Sequence, residues 1–421
     1  LQLPRELLVT SMREHQRYFT IEDGQGKLLN KFITVSNTRP EDEQVVIKGN
    51  QRVIRARLSD AMFFWEEDQK HKLESNLEAL KQVIYQAKLG SSFEKVERFT
   101  QIAKSLAERF EPEAVALTER AAQLAKCDLE SKMVYEFPEL QGIMGREYSR
   151  MEGEDPRVSV AIFEHYLPTE AGGTLPSDNL GAFVSIADKI DTICGCFGVG
   201  LIPTGSADPY ALRRSAIGIL NIILDRGYQI SIPELVEQSL GLLEAKLTRP
   251  RAEVQTDVVE FIRLRLANML TSRDFATDVV DAVLTARFDE PGDAVARVKA
   301  LAALKTAADF EPLAVAFKRV GNIIKGGVDT PVQAELFEAD CERVLAAAVA
   351  ATRQSVADQV GRGDYSAALQ TIAKLREPVD AFFDGVMVMA EDDRVKSNRL
   401  ALLTQVAGLF ANIADFTRIA A

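Results

Sequence analysis

Several small groups of residues in this chain could do chemistry. Lys318, Arg319, Asn322 and Lys325 lie in the stretch Phe310 to Lys325. Leu313, Ala316, Phe317, Val320 and Ile324 recur there at spacings of three and four, which predicts one helix with one buried face. The four polar residues fall largely off that face. A helix that packs on one side and offers Lys, Arg and Asn on another can contact phosphate and base edges. A solvated charged face is the plain alternative. Arg394, Lys396, Asn398 and Arg399 stand near the start of a final apolar-striped segment. If the two helices pack together, the two sets form one patch, and Asn and Arg donors of this kind read bases in single-stranded RNA loops. Arg213 and Arg214 follow Asp208-Pro209 and either pair with acids or touch an RNA backbone. Arg52, Arg55 and Arg57 crowd together, with Asp60, Glu66 and Glu67 as alternative partners. A last set, Cys127, Asp128, His165 and Asp188, contains metal-ligand types. A hydrolytic metal centre needs several imidazoles or carboxylates and an open position for water. With His15 and His71 as the other histidines, this set is too thin for one.

The elements that must position these groups are mostly helical. Near the N-terminal end Tyr18–Ile21, an Asp23-Gly24 turn and Phe32–Ser36 read as strand, turn, strand. Leu73, Leu77, Leu80 and Ile84 predict an amphipathic helix over Lys72–Lys88, broken at Gly90, with Ser92 as the next N-cap. The glycines Gly195, Gly198 and Gly200 read as a helix-to-helix connection, because they follow a helix and no phosphate-binding lysine accompanies Gly200–Ser206. Asp208 caps a helix with Pro209 in its first turn. Breaks at Ser231-Ile-Pro, Thr248-Arg-Pro and Glu290-Pro-Gly separate further helices, in which Arg263 and Arg265 point to different faces. Gly326-Gly327 ends the Phe310 helix. Helices are expected over Val332–Val360, Tyr365–Lys374, Pro378–Phe383 and Asp393–Ile419. The last would bury Leu400, Leu403, Ala407, Phe410 and Ala414, with Met387 and Met389 filling the bundle core.

Composition bounds the function. The 421 residues are 47% hydrophobic and 27% charged, which fits a folded chain of two to four domains. With 50 basic against 62 acidic residues, the net charge of −12 argues against non-specific nucleic-acid binding. Binding of one RNA through local basic patches remains compatible with that charge. The four cysteines lack zinc-like spacing and fit reduced thiols in the cytoplasm. No apolar run reaches ~18 residues, so no membrane span or membrane partner is expected. No signal peptide is read, and the opening Leu1–Thr10 reads as mid-domain, which suggests an N-terminally truncated fragment.

Long motifs then carry a resemblance. Leu124-Ala-Lys-Cys-Asp, Glu164-His-Tyr and Ala187-Asp-Lys-Ile-Asp191 resemble in order the HD-domain phosphohydrolases, with too few histidines for activity. Met12-Arg-Glu-His-Gln-Arg-Tyr-Phe19, Arg55-Ala-Arg-Leu-Ser-Asp-Ala-Met-Phe-Phe-Trp65 and Glu136-Phe-Pro-Glu-Leu-Gln-Gly142 are similar to the β subunits of bacterial two-subunit glycyl-tRNA synthetases. So are Gly200–Arg214, Lys318–Ile323 and Leu375–Asp384, the last two within an anticodon-binding domain of the arginyl-synthetase type. The resemblance implies a mainly α, multi-domain protein. Its parts would be an α+β segment (1–68), a degenerate HD-like helical domain (69–226), a helical linker or body (227–307) and an anticodon-binding-type helical bundle (308–421). It implies a subunit that binds tRNA(Gly) through the cations named above and partners a glycyl-tRNA synthetase α subunit. ATP and Mg would sit on that α subunit, with no cofactor, catalytic residue or metal on this chain. Cys127, Asp128, His165 and Asp188 would be a vestigial HD site. The alternatives are a metal-dependent HD phosphohydrolase, a non-catalytic helical scaffold or an arginyl-tRNA synthetase fragment.

Overall fold

A computed structural model describes residues 3–307, 310–324 and 330–420. They form two compact units. The first runs up to Ile222 and includes Val236–Val258; the second comprises Ile223–Leu235 and the residues from Val259 on.

The first unit opens with the helix Arg5–Gln16, which Arg17 ends in the left-handed conformation at φ 57°. An antiparallel hairpin follows, Phe19–Glu22 against Leu28–Ile33. The expected hairpin is present, with its second strand earlier than the predicted Phe32–Ser36. The turn is held by the Asp23 carboxylate, which accepts from the N–H groups of Gln25 and Lys27 at 2.9 Å each. Helix Glu43–Asp68 starts on an Asp42 cap and packs Ile54 against Met12 and Tyr18.

The helix expected over Lys72–Lys88 does not form. Leu73–Ser75 is a 3-10 turn, Asn76–Ala79 a single helical turn, and Ile84–Gln86 a strand paired with Gly90–Ser91. Leu73 and Leu80 are buried as the pattern demands, but Ile84 is 75% exposed. The N-cap of the next helix, Ser92–Phe110, is Ser91 rather than Ser92. Its Oγ accepts from Glu94 N at 3.2 Å, and Glu94 Oε2 accepts from Ser91 N at 2.8 Å.

Helix Asn179–Gly198 is almost wholly buried, including its charged residues Asp188, Lys189 and Asp191. Helices Ser92–Phe110, Val115–Leu124 and Pro156–Glu164 pack around it. Gly195 and Gly198 belong to this helix and not to a connection. A side chain at Gly195 would stand 2.9 Å from Leu89 Cδ1, so glycine there serves close packing. Gly200, at φ 81°, is where the chain leaves the helix. Asp208 does cap Leu212–Arg226, accepting from Leu212 N and Arg213 N at 2.9 Å each, but Pro209 precedes the helix.

The breaks at Pro233, Pro250 and Pro291 mark the starts of helices Ile232–Leu243, Arg251–Thr271 and Pro291–Lys305. The second unit continues with Phe310–Ile323, Asp340–Gly361, Tyr365–Ala373, Arg376–Gly385 and Asp393–Gly408. The helix predicted from Val332 starts only at Asp340, and the last helix stops at Gly408. Phe410 and Ala414 are buried from the turns beyond it, and Leu400 is only half-buried. Phe317, Phe410 and Phe416 make an aromatic knot with centroids 5.0–5.5 Å apart. Met387 and Met389 do not fill the core: they are 76% and 54% exposed, and Val388 points inward instead. Among the described residues no helix is long and apolar enough to cross a membrane.

Candidate functional site

In the first unit the buried helix Asn179–Gly198 carries Asp188, Asp191 and Thr192 on one face, by their spacing of three and four. One turn into its own helix, Lys95 reaches that face. Its Nζ lies 2.8 Å from Asp188 Oδ1, 3.2 Å from Asp191 Oδ2 and 2.7 Å from Thr192 Oγ1. Arg98 grips Asp191 through Nε at 2.6 Å and a terminal nitrogen at 3.1 Å. Lys126 Nζ donates to Asp188 Oδ2 at 3.0 Å and stands 4.0 Å from the Tyr166 ring centre. Burial works to raise the Asp188 carboxyl, but Lys126 and Lys95 overcome it and hold it well below the usual carboxylate range. Lys189, the next residue, donates to His165 O, Leu167 O and Ser185 Oγ at 2.7–3.0 Å. Burial, with Lys126, Lys95 and Arg214 nearby, pulls it down to about 7.

The other residues of the expected vestigial site each hold a separate partner. Asp128 is fully buried, and its Oδ2 accepts from Gly142 N at 2.5 Å and Gly145 N at 3.1 Å. It anchors the turn into helix Ile143–Met151, and burial pushes its carboxyl up to about 6. The tight turn needs glycine at Gly142, where φ is 78° and a Cβ would stand 2.7 Å from the Tyr166 ring. His165 Nδ1 lies 2.6 Å from Ile162 O, so the ring donates there. Burial and Lys126 hold the imidazole well below its ordinary value, hence neutral. Cys127 Sγ donates to Gln123 O, and burial raises the thiol to about 12. Among the described residues no three His, Cys, Asp or Glu side chains converge on a metal position. The donor set does not fit a hydrolytic metal: Asp188 is occupied by two ammonium groups and Asp128 by backbone N–H groups.

The remaining cations of this unit stand as follows. Arg214 is exposed at the mouth of the cavity beside Lys126 and Lys189. Arg213 donates to Gly205 O at 2.7 Å and so holds the preceding loop. Arg52 and Arg55 are exposed on helix Glu43–Asp68. Arg57 pairs with Glu136 at 3.2 Å, not with the nearer Asp60, Glu66 or Glu67.

In the second unit, helices Phe310–Ile323 and Asp393–Gly408 do pack together. The shared patch nevertheless loses two members. Asn398 is 3% exposed and both accepts from Gln333 N at 2.7 Å and donates to Gln333 O at 3.0 Å. Arg399 is 5% exposed. It donates to Glu342 and Glu338, both at 2.9 Å, and to Met387 O at 3.2 Å. Both are therefore internal clamps. What remains outward is Arg319, whose guanidinium lies 4.0 Å over the Phe383 ring, with Asn322 and Arg394 exposed. Lys318 is half-buried and donates to Ile419 O at 3.3 Å. Lys396 is half-buried beside Asp393 at 3.4 Å. Lys325 lies outside the described residues.

Sequence reasoning missed Lys95, Lys126, Lys189 and Arg297. The signal was available: charged residues inside an otherwise apolar stretch, such as Asp188-Lys189 and Asp191, are rarely buried unless partnered. Arg297 gave no such signal. It is wholly buried and donates to Val283 O, Arg287 O and Ile413 O at 2.8–3.3 Å.

Comparison with known proteins gives two matched ranges. Residues 1–285 match the family model described as glycyl-tRNA synthetase beta subunit, and residues 313–421 match the DALR anticodon binding domain. The glycine–tRNA ligase beta subunit of Syntrophotalea carbinolica is 66% identical over 421 residues, covering 100% of this chain and 61% of that protein. That of Geobacter metallireducens is 60% identical over the same length, again with 61% of the relative covered. That of Geobacter sulfurreducens is 61% identical over 391 residues, 93% of this chain and 57% of the relative. The chain thus spans about 61% of the length of the first two relatives.

Proposed function

The chain belongs to the glycyl-tRNA synthetase beta subunit family, and from that premise we propose that it is the tRNA-binding part of a two-subunit glycine–tRNA ligase. It grips tRNA(Gly) and presents the 3′ end to an α subunit, where ATP and Mg serve glycine activation and transfer to the terminal adenosine. The reaction takes place in the cytoplasm. Residues 308–421 hold the anticodon end through Lys318, Arg319, Asn322, Lys325, Arg394 and Lys396. Residues 1–68 and a degenerate HD-like domain over 69–226 face the acceptor arm, with Arg55, Arg57, Arg213 and Arg214 as phosphate contacts. Residues 227–307 join the two. Binding energy released far from the reacting atoms would orient the acceptor end and lower the entropic part of the barrier.

The observation that carries this reading is the coincidence of the anticodon-domain match with an exposed, cation-bearing surface around Arg319 and Asn322. Arg319, seated over the buried Phe383 ring, presents a planar donor suited to unstacked RNA bases. The test is tRNA(Gly) binding by the R319A/N322A variant, whose side chains point outward and do not hold the core. Affinity at least ten-fold weaker, with unchanged thermal unfolding, is the expected result. Unchanged affinity and unchanged charging with the α subunit would remove the anticodon half of the proposal.

A further inference from the structure

The cavity beside Asp188 is a cationic chamber of whose walls the glycylation reading uses only Arg214, at the rim. It encloses about 490 Å³, a volume suited to a small ligand. Lys95, Lys126, Lys189, Arg214, Tyr166 and Tyr210 are among its walls. Lys95, Lys126 and, beneath them, Arg98 pair with the two carboxylates of Asp188 and Asp191, while Lys189 and Arg214 add positive charge with no carboxylate contact among the described residues of the cavity. Lys95 is saturated by acceptors, and Lys189 meets only neutral oxygens. Lys126 is 8% exposed, yet its ammonium makes one hydrogen bond among the described residues, to Asp188. The Tyr166 hydroxyl is buried with no hydrogen-bond partner among them.

Excess positive charge held out of water is costly unless an anion or water meets it. Burial already pulls Lys126 and Lys189 below their ordinary values, and an anion in the chamber would oppose that pull. A phosphate monoester suits the donors: it carries nearly two negative charges near neutral pH and three free acceptor oxygens. An ammonium serves it as a point charge and a guanidinium as a fork. The volume exceeds that of a bare phosphate, and Tyr210 adds an aromatic wall at the mouth.

We propose that this cavity binds a small, ring-bearing phosphate monoester, its phosphate held by Lys126, Arg214 and the Tyr166 hydroxyl. Calorimetric titration of the intact chain with phenyl phosphate, inorganic phosphate and phenol tests it. Saturable binding of phenyl phosphate is expected, at least ten-fold tighter than inorganic phosphate and absent for phenol. Arg214→Gln, exposed at the rim and unable to disturb the core, and Lys126→Gln should each weaken it ten-fold or more. No saturable binding of phenyl phosphate overturns the proposal. So does equal affinity for phenol, for inorganic phosphate, or for the wild-type chain and Arg214→Gln.

Discussion

Arg399 decides whether the start of the last helix is a nucleic-acid surface or an internal brace. Its guanidinium lies 2.9 Å from Glu342 Oε1, whose side chain is 1% exposed. With charge centres ~4 Å apart and an effective dielectric of ~20, the attraction is about 4 kcal/mol before desolvation is charged against it. Removing one partner of such a buried pair costs ~3–5 kcal/mol, because the other charge is left uncompensated. Glu342 Oε2 keeps the N–H groups of Glu338 and Ala339, each at 2.8 Å, so the lower end is expected. For Arg399→Ala we therefore expect a loss of about 3 kcal/mol, or on the order of 10 °C in the melting of the second unit. Urea unfolding, with hydrogen exchange followed over Glu338–Gly361, measures it. Burial works to raise Glu342, while Arg399 and the backbone donors overcome it and keep the carboxyl low. That contribution is present above its unfolded value and is lost as pH falls through the folded one. In the variant the orphaned carboxyl can instead take a proton, so the deficit should shrink from pH 7.5 to pH 5. The double change Arg399→Met with Glu342→Gln, which removes both charges and keeps an acceptor for Glu338 N and Ala339 N, should recover much of the loss. Unchanged unfolding combined with weakened tRNA binding by Arg399→Ala would refute the brace and return Arg399 to the surface.

Two further predictions follow from buried charge. Asp128, pushed up to about 6 from 3.8, binds its proton more firmly folded than unfolded, so its burial costs stability above pH 6 and is relieved as pH falls towards 4. Asp128→Asn keeps an acceptor for Gly142 N and Gly145 N but has no such charge. Its stability relative to wild type should rise by on the order of 1–2 kcal/mol between pH 5 and pH 8, and a flat difference in urea unfolding would count against the assignment. Arg297→Met takes the guanidinium from the carbonyls of Arg287 and Ile413 and from the Asp293 carboxylate, so a loss of ~3 kcal/mol is expected. Arg297→Lys should restore only part of it, because an ammonium cannot reproduce the fork. Full restoration by lysine would show that charge alone matters there.

Elements announced by local rules were legible in the sequence. The Asp23 turn, the Asp208 cap and the proline-marked helix starts at 233, 250 and 291 all act within a few residues. The Lys72–Lys88 stretch was not legible, because Leu73 and Leu80 satisfy a helical stripe while burying themselves from separate turns. Periodicity cannot separate those cases when the apolar residues are few. The final helix failed for a related reason. Phe410 and Ala414 keep the spacing of its stripe, yet they reach the core from turns beyond Gly408.

Charged residues were legible by type and not by destination. Lys318, Arg319, Asn398 and Arg399 look equivalent on a helical wheel, each a polar residue on a half-apolar helix. Arg399 is turned inward by Glu342, 57 residues away, and Asn398 by the backbone of Gln333, 65 away. Arg319 finds the Phe383 ring and stays outside. The same logic turns the residues read as a vestigial HD site into part of a cationic chamber. Asp188 has the right type for a ligand, but Lys95 and Lys126, 93 and 62 residues away, claim its carboxylate oxygens first. Ligand type in a sequence therefore specifies a metal site only together with its neighbours' charge. Here lysines rather than additional histidines surround the carboxylate, so the chamber favours an anion over a cation.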